Sequence, residues 1–184
     1  MTKHYTYCST LLNNMSLKLI ENDKTELLNH RLTLYSGQTM PLSTFHQKVR
    51  TNTLYEIVIE PAPASLTEKH NNRNNLIIGY TQLCPMMHLG QQYTGIEELE
   101  IFEEYRSLKY GSIVVTLIKS IYPSIFVIDI QPTAIGFWYR TMGDAYWRNL
   151  FSLFPSIDSL NATLKYSGET ATFFHNLYYS LPAK

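Results

Sequence analysis

The chain has 184 residues, the usual size of one domain, and a length at which roughly 70% of the unfolded surface is buried on folding. Hydrophobic residues make up 45% and charged residues 16%, which excludes a disordered tail, and 15 basic against 15 acidic side chains exclude a strong field for nucleic acid or anionic lipid. Two cysteines, Cys8 and Cys84, cannot build a disulfide framework and lack zinc-ligand spacing, so reduced structural thiols are expected.

The first sixteen residues lack the apolar core and small-residue cleavage site of a secretory leader, and no stretch has the length of a membrane span. A single domain over residues 1–184, cytoplasmic and without a membrane partner, is the expectation. Ser16 to Ile20 alternates apolar and polar side chains as a strand does. Asp23-Lys24-Thr25-Glu26 has capping-box spacing and predicts a helix carrying Leu27, Leu28, Leu32 and Tyr35 on one face, closed by Gly37. Pro41 opens a second predicted helix with Leu42, Phe45 and Val49 on one stripe.

Thr53 to Ile59 and Leu76 to Leu83 are rich in β-branched and aromatic residues and read as the arms of a hairpin whose long polar tip runs from Ala62 to Asn75. Pro85 is expected to end the second arm, and a loop through His88, Gly90 and Gly95 to lead into a strand over Ile96 to Phe102. In that strand Glu98 and Glu100 share one face. The next residues, Glu103 to Ser112, form a turn with basic residues and a glycine. They precede Ile113 to Ile121, whose apolar residues recur every three to four positions and predict a helix stopped by Tyr122-Pro123.

A strand, a turn and a helix in this order leave unpaired N–H groups at a positive dipole end, which is a site for phosphate. Ile125 to Ile130 is almost continuously apolar and predicts a buried strand, with Pro132 opening a helix that reaches about Met142 before Gly143. Beyond Asp144, the aromatic stretches Tyr146 to Phe154 and Ala171 to Leu181 are read as strands, and Ile157 to Leu164 is left open.

This succession resembles the GNAT superfamily of acyl-CoA-dependent N-acyltransferases. In that family a Gln or Arg, two arbitrary residues, a Gly, one residue and a Gly or Ala form the pyrophosphate turn; the matching positions are Arg106, Lys109 and Gly111, with Lys109 in place of the first glycine. Tyr105 stands where an aromatic commonly precedes the motif. A second match covers Ile125 to Asp144, with Gln131 and Ala134 near the family's Asn and Ala positions and Tyr139 four residues before Gly143, one residue being inserted between Ala134 and Tyr139.

The resemblance implies an α/β (α+β) fold: a mixed, mostly antiparallel twisted sheet with helices on both faces and a splayed parallel strand pair at the cofactor site. It also implies an N-acetyltransferase that moves an acetyl or other acyl group from acetyl-CoA directly to an amine, with no metal. Arg106, Ser107, Leu108, Lys109, Tyr110, Gly111 and Ser112 would hold the pyrophosphate, and main-chain groups of Ile101 and Phe102 the pantetheine arm. Tyr139 is the candidate general acid for the leaving thiolate, set against an ordinary structural tyrosine among fourteen. Glu98 and Glu100 are candidates for accepting the amine proton, set against a generic acidic patch; His88 is set against a surface histidine.

The Lys109 departure keeps open a catalytically silent interaction or regulatory module on the same scaffold that binds coenzyme A, and a cofactor-free structural protein. The acceptor is unspecified, nucleic acid is disfavoured, and the aromatic C-terminal region has the composition of a homodimer contact.

Overall fold

The computed structural model describes residues 4–8, 16–21, 52–60 and 76–180. The two helices expected between Asp23 and Val49 and the polar tip from Ala62 to Asn75 lie outside the described residues. The chain forms two compact units, Met1–Ile125 and Phe126–Lys184.

In the first unit β1 (His4–Cys8), β2 (Ser16–Glu21), β3 (Thr53–Glu60), β4 (Leu76–His88) and β5 (Gln91–Ile101) run antiparallel, each pairing with its neighbour in chain order. Strand β1 carried no expectation from the sequence. Leu17 and Leu19 of β2, Ile57 and Ile59 of β3 and Ile78 of β4 are buried, placing the core over the middle of the sheet. At the β2/β3 end, Lys18 forms an ion pair with Glu60, and the Ser16 hydroxyl donates to the Glu60 carbonyl.

Two expectations about β4 and β5 are corrected. Pro85 does not end β4, which continues to His88. A proline costs no ladder bond where its nitrogen faces a free edge, and from Cys84 onward β4 pairs with β5 alone among the described residues. The loop expected through His88, Gly90 and Gly95 is a two-residue hairpin turn, Leu89-Gly90, with His88 directly opposite Gln91. Both turn residues have positive φ, 49° and 75°, as a type I′ turn requires, so Gly95 belongs to the strand.

Both long hairpin pairings are interrupted once. In β3/β4 the register steps from Ile57↔Gly79 to Val58↔Ile77, leaving Ile78 as the extra residue. In β4/β5 it steps from Gln82↔Glu98 to Leu83↔Ile96, leaving Glu97 as the extra residue. At Gly79 the backbone of β4 lies so close to β5 that a Cβ built there would clash with the Glu100 carbonyl oxygen.

After β5 a 3-10 turn, Glu103–Tyr105, leads to α1 (Tyr110–Ile121), one turn longer at its start than the apolar pattern implied. Val114, Val115, Leu117 and Ile118 form its buried stripe. Tyr122 closes it, its N–H donating to the Ile118 carbonyl, and the Tyr122 hydroxyl lies 3.2 Å from that of Tyr55 on β3. The helix end is thereby fixed to the Tyr55 face of the sheet. The Thr94 N–H, near the start of β5, donates to the Ser124 carbonyl at 2.9 Å, just before β6 (Ile125–Val127).

The second unit is helical after β6. The strand expected to reach Ile130 stops at Val127 because Asp129 turns left-handed, with φ 51°. A 3-10 turn over Pro132–Ala134 leads into α2 (Ile135–Met142), followed by α3 (Asp144–Ser152), α4 (Ile157–Leu164) and α5 (Gly168–Ser180).

The two aromatic stretches read as strands are therefore helices. Trp147, Leu150 and Phe151 recur at helical spacing, as do Thr170 and Phe174, and all five are buried. Tertiary burial of one face outweighs the weak helix preference of aromatic residues. Trp147 and Tyr166 both pack on Phe174, at 4.7 Å and 4.8 Å between ring centres. Ser156 caps α4 by accepting the Ser159 N–H.

The segment after β6 is strapped by side chains and main chain of this helical unit. The Tyr166 hydroxyl donates to the Val127 carbonyl at 2.6 Å, the Val127 N–H donates to the Tyr146 hydroxyl, and the Asp129 N–H donates to the Leu164 carbonyl. Thr170 completes the set by donating to the Ile130 carbonyl. Polar groups that a longer strand would have paired are thus satisfied. No helix among the described residues is long and apolar enough to cross a membrane.

Candidate active site

The turn between β5 and α1 is an exposed loop held by two buried tyrosines. Tyr105 and Tyr110 are buried, whereas Arg106, Ser107, Leu108 and Lys109 between them are exposed. Burial raises both tyrosine hydroxyls above their ordinary pKa, and the charge of Glu104 adds to the effect on Tyr105.

Ser107 and Lys109 both adopt left-handed backbone conformations, with φ 67° and 63°. Lys109 is the N-cap of α1, without a capping side-chain bond, and its carbonyl accepts the first helical N–H, from Ile113. The position where the resemblance puts a glycine thus has positive φ and is occupied by lysine. The N–H groups of Leu108, Lys109, Tyr110 and Gly111 meet no acceptor among the described residues. Four donors at the positive end of a twelve-residue helix can hold an anionic oxygen cluster. Together with the exposed Lys109 they fit a pyrophosphate.

The end of β5 is more committed than its sequence indicated. The Phe102 N–H donates to the Ile78 carbonyl at 2.9 Å, so it points at β4 and is already paired. By strand alternation the main-chain groups of Ile101 point away from β4. There the Ile101 carbonyl accepts from Arg106 Nε at 2.9 Å. The Phe102 ring packs edge-on against Tyr80, 5.3 Å between centres.

Glu98 and Glu100 occupy one face of β5, opposite Gln82 and Tyr80 of β4, and both are half-buried. Glu97, one residue before them, is the extra residue of the β5 bulge, and Asn52 donates its side-chain amide to the Glu97 carboxylate. An inserted residue in a strand has no compositional signature, so nothing in the local pattern separates Glu97 from its neighbours. His88 lies at the hairpin tip, its ring edge-on to Tyr93 at 6.3 Å.

Tyr139 belongs to the second unit. It lies on α2, and its hydroxyl donates to Asp144 Oδ1 at 2.8 Å. That bond, with burial and the Asp144 charge as smaller causes, raises its pKa, while Arg148 opposes the shift. Its carbonyl accepts from both Gly143 N–H and Trp147 Nε1, which fixes the α2/α3 corner. Asp144 was missed as a partner; its position directly after the helix-ending Gly143 was the available signal. No cluster of metal-ligating side chains is found among the described residues.

Antiparallel β2 to β5, a strand-turn-helix over Ile101 to Ile121, and a next strand that begins beside β5 are together the element order of the acyl-CoA-dependent superfamily. The fold is GNAT-like. No protein-family model and no curated protein sequence matches the chain. Among solved structures, the chain is similar to an aminoglycoside acetyltransferase from an uncultured soil metagenomic sample, with 14% identity over 71% of this chain and 89% of that one at a TM-score of 0.46. It is also similar to a glucosamine-6-phosphate N-acetyltransferase from Arabidopsis thaliana, with 12% identity over 70% and 91% at 0.42. A Trypanosoma brucei acetyltransferase gives 16% identity over 71% and 92%, also at 0.42.

Proposed function

We propose that the chain is a coenzyme A-dependent N-acyltransferase, acting with acetyl-CoA on an amine-bearing acceptor. The observation that carries this reading is the set of N–H donors from Leu108 to Gly111 at the start of α1 that meet no acceptor among the described residues, with Lys109 beside them. Coenzyme A, when bound, supplies an acyl group activated as a thioester.

The protein's own work is then to bind and orient. The turn holds phosphate oxygens, and the outward main-chain groups of β5, Ile101 among them, align an extended amide-bearing arm. Glu98 and Glu100 supply negative charge that draws an ammonium and accepts its proton. Tyr139 is the proton donor that the resemblance assigns; its raised pKa keeps it protonated at neutral pH, and it must release Asp144 to donate elsewhere.

That engagement of the Tyr139 hydroxyl is also the observation favouring the second reading, a catalytically silent module that binds coenzyme A without turnover. Native mass spectrometry of freshly purified protein, followed by thiol release from acetyl-CoA across an amine panel, separates the two. A co-purifying coenzyme A mass with thiol release supports the enzyme, and the mass without release supports the silent module. Neither mass nor release rejects both.

A further inference from the structure

The geometry points to Arg106 as a positioning residue that braces the phosphate-binding turn through its Nε–H, not a charge that contacts phosphate. This rests on the reading of that turn given above and deepens it. Arg106 Nε donates to the Ile101 carbonyl, five residues back and on the outward side of β5. The bond closes a loop around the 3-10 turn, whose own links are Tyr105 N–H to the Phe102 carbonyl and Arg106 N–H to the Glu103 carbonyl.

Immediately after Arg106 the chain adopts the left-handed conformation at Ser107 and again at Lys109. Non-glycine residues resist that conformation by about 1–2 kcal/mol each, so something outside the two residues must hold them there. On one side the holder is the buried Tyr110 and helix α1. On the other it is the buried Tyr105 and the Arg106 brace. The brace therefore holds the backbone that carries the four N–H donors in place before any ligand arrives.

The chemistry of the bond gives a sharp test. In glutamine the amide nitrogen is attached to Cδ, as Nε is in arginine, so Arg106→Gln retains a donor at the same number of bonds from the backbone and removes the charge. Lysine has a methylene at that point and carries its charge one atom further out, so Arg106→Lys keeps the charge and loses the donor.

Amide hydrogen exchange of the ligand-free full chain reads the brace directly. The amides of Tyr105 and Arg106, which donate to the Phe102 and Glu103 carbonyls inside the braced loop, should exchange about three- to tenfold faster in Arg106→Ala and Arg106→Lys, the factor expected from one lost hydrogen bond, and at the wild-type rate in Arg106→Gln. The acetyl-CoA dissociation constant should rise in Arg106→Ala and Arg106→Lys and return toward wild type in Arg106→Gln. Wild-type exchange in Arg106→Ala, or rescue by lysine and not glutamine, overturns the proposal. Failure of the wild-type protein to bind acetyl-CoA overturns the function reading instead and leaves the exchange result to judge the brace.

Discussion

Lys109→Gly should stabilise the protein. Lys109 sits at φ 63°, ψ 8°, a left-handed conformation that costs an L-residue about 1–2 kcal/mol through the clash of Cβ with the following carbonyl. Glycine removes the clash and adds freedom to the unfolded chain, which costs about 0.5–1 kcal/mol. The Lys109 side chain is exposed, so little burial is lost. The net gain is about 0.5–1 kcal/mol, or a melting temperature about 1–4 °C higher for a chain of this length. Lys109→Ala is the control, because it removes the ammonium and keeps the Cβ; it should stay within about 0.5 kcal/mol of wild type. Urea and thermal denaturation of the three proteins side by side give the comparison. Equal shifts in the two variants, or a loss of stability in Lys109→Gly, would refute the claim that backbone strain dominates at this position.

Gly79→Ala should cost about 1–3 kcal/mol or more in urea denaturation, because its Cβ would clash with the Glu100 carbonyl oxygen; an unchanged midpoint would contradict the close approach of β4 and β5. Tyr139→Phe should lower kcat by about 10²-fold or more if Tyr139 gives up its proton in the reaction, while loss of its bond to Asp144 costs at most about 1–2 kcal/mol of stability; unaltered kcat would remove it from the chemistry. Burial holds Tyr146 and Tyr166 above the ordinary tyrosine value of 10.0, so above pH 10 the folded state keeps protons that the unfolded state releases. Stability should then be insensitive to these groups below pH 10 and fall as the pH rises beyond it, with a shallower fall in Tyr166→Phe, which also loses about 1–3 kcal/mol by stranding the Val127 carbonyl. An alkaline slope identical in wild type and Tyr166→Phe would count against the burial argument.

The sheet was legible where side chains alternate, and β2, β3 and the first part of β4 lie where the pattern placed them. Pro85 misled because its effect depends on which neighbour a strand has at that point, and a local pattern carries no record of neighbours. The residue Glu97 was invisible as a bulge for a related reason: an extra residue is defined only by the register of its partner. The helical C-terminal unit was misread because Trp147, Phe151 and Phe174 favour strands by local preference, yet their three- to four-residue spacing buries one helical face.

In the turn, Lys109 stands where the resemblance puts a glycine, and it adopts a left-handed conformation that glycine would supply without strain. What no spacing could show is that Arg106 reaches back to Ile101, and that the Tyr139 hydroxyl is held by Asp144. Both are contacts made by side-chain direction after the elements have packed.

The central claim is that the turn from Arg106 to Gly111 binds the phosphates of coenzyme A, and thermal unfolding with acetyl-CoA tests it most directly. A ligand at a hundred times its dissociation constant stabilises the folded state by about 2.7 kcal/mol, which for a chain of this length is a rise of about 5–11 °C. The expected result is such a rise in the wild-type protein and none in Gly111→Glu, whose carboxylate would place negative charge among the N–H donors. No rise in the wild-type protein at millimolar acetyl-CoA, or the same rise in both proteins, would contradict the account.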